Sequence, residues 1–163
     1  SYKGNHMKKI VGIGECIVSN KRDDVLITYA LASCVGMTVY DPEKKAAGMA
    51  HIALPAPDRS NDNGGIRPYY YASTAVPLLI SRMCDQCGCA KNGLKIRLFG
   101  GADSLREKDM FQIGRKNLSV IKDLLAQMGL RYDASETGGK YSRTLEMDVS
   151  SGIIKLTLQP IRI

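Results

Sequence analysis

The chain has 163 residues, 44% of them hydrophobic and 24% charged, enough for one sizeable core and short for two. Its formal net charge is +7, but the basic residues are scattered, aromatics are 6% and tryptophan is absent, which argues against nucleic-acid binding by phosphate tracking and base stacking. The five cysteines are an odd set with no secretory signal ahead of them, and no apolar run approaches the ~20 residues that cross a bilayer. The expectation is a protein of the reducing cytoplasm with no membrane insertion.

Residues 1–6 carry no apolar pattern and read as a vector-derived scar ahead of Met7, leaving 7–163 as a single domain. His6 falls in that scar, so any histidine chemistry belongs to His51. Short apolar runs at Ile10-Val11-Gly12-Ile13, Cys16-Ile17-Val18, Val25 to Thr28, Val35 to Tyr40 and Ala47 to Leu54 read as strands. Asp41-Pro42-Glu43-Lys44-Lys45 has the turn chemistry that joins antiparallel strands, so a hairpin folds Cys34, just before one strand, back toward His51 in the next. Pro55 to Arg67 is rich in Pro, Gly and polar residues, and reads as a loop and candidate lid.

From Tyr69 to Met83 the spacing of Val76, Leu79 and Met83 is helical, with Pro77 implying a bend or a later start. Leu94 to Phe99 alternates as a strand. Ile113 to Met128 is a helix with the apolar stripe Leu118, Ile121, Leu125 and Met128, and Gly129 stops it. Thr144 to Val149 and Ile153 to Leu158 are strands joined by Ser150-Ser151-Gly152. The order implies an α+β layered domain.

A nucleophilic cysteine needs a base, and the base needs a third group to orient it. Cys34 sits at a turn between strands, where backbone N–H groups can converge on an oxyanion, and His51 is its available base. A buried structural cysteine and a core histidine are the plainer readings of the same two residues. Ser33 adjoins the cysteine and suits either an oxyanion pocket or an ordinary turn. Gly100-Gly101 after a strand reads as a tight turn before it reads as an anion cradle. Cys84, Cys87 and Cys89 offer three soft ligands but no fourth, so no metal is expected.

Leu31-Ala32-Ser33-Cys34-Val35, Tyr40-Asp41-Pro42 and Gly48-Met49-Ala50-His51-Ile52-Ala53-Leu54-Pro55 resemble the active-site region of the chemoreceptor glutamine deamidase family, CheD. The match continues through Phe99-Gly100-Gly101-Ala102, Ile113-Gly114-Arg115-Lys116-Asn117 and Gly138-Gly139 with Arg143. The chain departs from the family in carrying Ala32 where Gly is usual and Ser142 ahead of Arg143. The resemblance implies an α/β sandwich and an amidohydrolase, a protein-glutamine glutaminase, that converts chemoreceptor glutamines to glutamate. It implies a triad of Cys34, His51 and Thr28 and no metal; no cofactor is expected, and the backbone beside Cys34, at Ser33 and Val35, is the candidate oxyanion site on chemical grounds. The partners it implies are chemoreceptors and a CheC-type phosphatase, and the chain's positive charge suits an acidic receptor surface. Two other activities stay open on these residues: a regulatory docking module, and methylesterase action by the same thiolate.

Overall fold

The structure is a computed structural model that describes residues 6–58, 67–103 and 112–161. Among these, nine strands form: β1 (Met7–Ile10), β2 (Cys16–Ser19), β3 (Asp24–Leu31), β4 (Val35–Asp41), β5 (Ala46–Ile52), β6 (Lys95–Gly100), β7 (Asp133–Thr137), β8 (Tyr141–Asp148) and β9 (Ile154–Pro160). The helices are α1 (Ala72–Cys87), between β5 and β6, and α2 (Ile113–Gln127), between β6 and β7. One sheet runs β1-β3-β8-β9 and the other β2-β5-β4-β6-β7. The β1–β3 and β6–β7 pairs are parallel and the rest antiparallel. This is the expected α+β sandwich with mixed sheets and two main helices.

The five-stranded sheet is the middle layer. Val35, Met37 and Val39 of β4 and Ala50 and Ile52 of β5 pack under Val76, Leu79, Ile80 and Met83 of α1 and Leu118, Ile121 and Leu125 of α2. Side chains alternate between the faces of a strand, so Tyr40, Ala47, Met49 and Phe99 turn the other way, against Leu26, Leu145 and Met147 of the four-stranded sheet. Every residue of β4 and β5 is buried. Covered on both faces, they read as runs of apolar and small residues with little polar alternation.

Three expectations need correction. The first strand lies at Met7–Ile10 and stops where the Ile10–Ile13 run was expected to continue: Val11 N–H still donates to Ile27 O of β3, and the chain then crosses toward β5, where Gly14 and Glu15 bond the His51 backbone. Pro77 does not delay α1, which begins at Ala72 and runs through it. It sits on the exposed face, and the bond it forfeits is the one its N–H would have given to the Ser73 carbonyl one turn earlier. A strand the pattern did not show, β7, adds in parallel at the sheet edge through the polar run Asp133-Ala134-Ser135-Glu136-Thr137. Of the candidate lid, residues 59–66 lie outside the described residues.

Candidate active site

Thr28 of β3 and His51 near the end of β5 meet between the two sheets, and Cys34, just ahead of β4, packs against the same inter-sheet cluster. Thr28 shares the inner face with Leu26, two residues back, and is fully buried; His51 is 3% exposed. Thr28 Oγ1 lies 2.7 Å from the Val11 carbonyl oxygen and 2.7 Å from His51 Nδ1. A hydroxyl has a single proton and a carbonyl can only accept. Thr28 therefore donates to Val11, and His51 supplies the proton for the other contact. The imidazole is thus held as the Nδ1–H tautomer, which leaves a lone pair on Nε2. That atom is buried and has no hydrogen-bond partner among the described residues.

The crossing segment also fixes the backbone of His51. Its N–H donates to the Glu15 carbonyl at 3.1 Å, and its carbonyl accepts from the Gly14 N–H at 2.8 Å. The β4–β5 register pairs Gly36 with His51 and Val35 with Ile52. Carried back one residue, the alternation puts Cys34 on the face of His51, as its diagonal neighbour. Cys34 is half-buried and packs against the cluster between the sheets. Val35 points to the helices instead.

The turn before β4 is held by its carbonyls. Ala32 O accepts from the Ala102 N–H at 2.7 Å, Cys34 O from the Gly101 N–H at 2.9 Å and Ser33 O from Asn117 Nδ2 at 3.0 Å. In a trans peptide the N–H points opposite to the C=O, so the amides of the turn face away from this scaffold. The left-handed residue of this region is Ala30 (φ 53°), in a β3 bulge between Thr28 and Leu31, and not Ala32. Bulges re-aim side chains beside functional sites. Gly100 closes β6, and both it and Gly101 have positive φ, 96° and 61°.

Two further residues support the turn from outside. Arg143, buried in β8, donates from Nη1 to the Gly138 carbonyl at 2.9 Å, and Gly138 N–H in turn donates to Gly100 O at 2.8 Å. Neither Arg143 nor Asn117 had a role legible in its motif. Asn117 did carry a signal, since it is an amide on the buried stripe of α2. Val11 carried none, because it acts through its backbone.

Burial sets the protonation of the pair. It pushes the Cys34 thiol above its ordinary range and lowers His51 from 6.5 to about 4. Both groups are therefore neutral at rest, and the thiol needs its base at the moment of attack. The folded chain refuses a proton that the unfolded chain accepts between about pH 6.5 and about pH 4. Stability from the neutral imidazole is full above that window and lost as pH falls through it, on the order of 3 kcal/mol in total. The urea midpoint of the wild type should therefore fall more steeply from pH 7 to pH 5 than that of His51→Ala. Parallel slopes would remove the burial argument.

Among the described residues no group of three or more His, Cys, Asp or Glu is arranged to hold a metal ion. Burial, then the Asp41 carboxylate that it meets, push the Cys89 thiol up to about 12. No described helix is long and apolar enough to cross a membrane.

A family model described as CheD chemotactic sensory transduction matches residues 53–157, a span that begins just after His51. A probable chemoreceptor glutamine deamidase of Syntrophotalea carbinolica is 38% identical over 149 residues, 91% of this chain and 92% of that one. One from Pyrococcus horikoshii is 38% identical over 154 residues, 92% of each chain. One from Solibacter usitatus is 34% identical over 143 residues, 88% of this chain and 84% of that one.

Proposed function

The chain belongs to the CheD family, and on that premise we propose that it is a cytoplasmic protein-glutamine glutaminase that deamidates selected glutamine side chains of chemoreceptors. The observation that carries the reading is the His51 imidazole, fixed as the Nδ1–H tautomer by Thr28 and Val11, with a buried Nε2 lone pair left unpartnered among the described residues. A base so fixed, on the same face of the hairpin as a thiol, is what nucleophilic catalysis starts from.

In the proposed reaction His51 Nε2 takes the Cys34 proton as the sulfur attacks the carboxamide carbon. The oxyanion is met by backbone N–H groups of the Ser33-Cys34-Val35 turn, a type of contact worth about 3–4 kcal/mol. The imidazolium then gives its proton to the departing nitrogen, and ammonia leaves a thioester on Cys34. Neutral His51 next takes a proton from water, whose oxygen attacks the thioester. Glutamate is released and the thiol restored. Thr28 orients the ring throughout.

Receptor cytoplasmic fragments, amidated and methylated, separate the readings. Ammonia release from the amidated fragment supports deamidation. Methanol release without ammonia would make the chain an esterase. Tight binding with neither product would make it a docking module, for receptors or for a CheC-type phosphatase.

A further inference from the structure

We propose that Asn117 is a positioning residue of this site, clamping the turn that carries Cys34 onto the strand that carries His51. The inference rests on the reading of Cys34 as nucleophile and His51 as base. Asn117 is fully buried, and its Nδ2 donates both to the Ser33 carbonyl at 3.0 Å and to the Ala53 carbonyl at 3.1 Å. Ser33 is the residue before Cys34, and Ala53 follows His51 by two. One side-chain amide therefore bridges the approaches to the two groups between which the proton must pass. Both its N–H protons are used, and because both partners are carbonyls the amide has a single workable orientation.

The helix is brought close enough for this by a glycine one turn earlier. A Cβ on Gly114 would stand 2.4 Å from the Ala102 carbonyl oxygen and 2.7 Å from Gly101 C and O, so only glycine lets α2 descend onto that turn. Asn117, three residues on, then faces the same way. A second observation singles it out. Asn117 Oδ1 is buried with no hydrogen-bond partner among the described residues, in a stripe otherwise made of Leu118, Ile121 and Leu125. An apolar residue there would remove that unmet acceptor and suit the stripe better. A polar group kept at such a cost points to the job its other end performs.

The test uses Asn117→Ala and Asn117→Leu, the second keeping most of the volume while deleting both bonds. The expected result is a folded protein whose kcat on receptor fragments falls by about 100-fold with KM changed less than about threefold, the effect of a small misplacement of reacting groups. Alkylation of Cys34 by iodoacetamide at neutral pH, followed by peptide mapping, should slow as it does in His51→Ala. The double variant with His51→Ala should be no slower than His51→Ala alone, because both changes break one unit. Multiplying effects, wild-type kcat in a folded variant, or failure of both variants to fold would each overturn the inference. If His51→Ala itself keeps the wild-type rate, the reading of the base fails instead, and that outcome is recognisable without any Asn117 variant.

Discussion

Gly100→Ala is expected to lose both activity and stability, although it adds only one methyl group. Gly100 closes β6 with φ 96°, and a Cβ there would stand 2.3 Å from the Cys34 carbonyl oxygen and 3.2 Å from Leu31 Cβ. The atom in the way belongs to the nucleophile's own backbone, which the Gly101 N–H already holds in place. The left-handed conformation costs alanine roughly 1–2 kcal/mol, and forcing a methyl into a packed site typically adds about 1–3 kcal/mol. Whatever relief the chain finds must move Cys34, and a shift of about 1 Å can cost about 100-fold in rate. Gly93→Ala is the control, since nothing stands within 4 Å of a Cβ there and its φ is not positive. It should leave the urea midpoint and kcat near wild type. Wild-type values for Gly100→Ala would mean that the turn does not position Cys34.

The parts of this site that were legible in the sequence are those set by local chemistry. Asp41 announced the β4–β5 turn because its carboxylate can accept from the backbone of the next residues, and Asp41 Oδ1 does accept from Glu43 and Lys44 N–H. That hairpin brought Cys34 and His51 to one face. Helix α2 was legible because its buried stripe repeats every three or four residues and Gly129 follows it. Strand β7 was not, since an edge strand in parallel pairing draws its bonds from a distant segment and needs no apolar alternation of its own. The Val11 carbonyl and the reach of Asn117 to Ser33 and Ala53 were equally hidden. Each joins residues far apart in sequence, through backbone groups that every residue possesses. Thr28 was legible only through the family resemblance.

Removing either member of the central pair is expected to lower the rate by on the order of 10⁴-fold, as when a coupled nucleophile and base are broken apart. Cys34→Ala leaves nothing to form the thioester. His51→Ala is nearly as severe, because burial raises the Cys34 thiol and little thiolate forms at neutral pH without a base. The most direct test is peptide-resolved mass spectrometry of chemoreceptor cytoplasmic fragments after incubation with the wild type, Cys34→Ala and His51→Ala. Conversion of specific glutamines to glutamate by the wild type alone is the predicted result. Conversion by Cys34→Ala at the wild-type rate would contradict it.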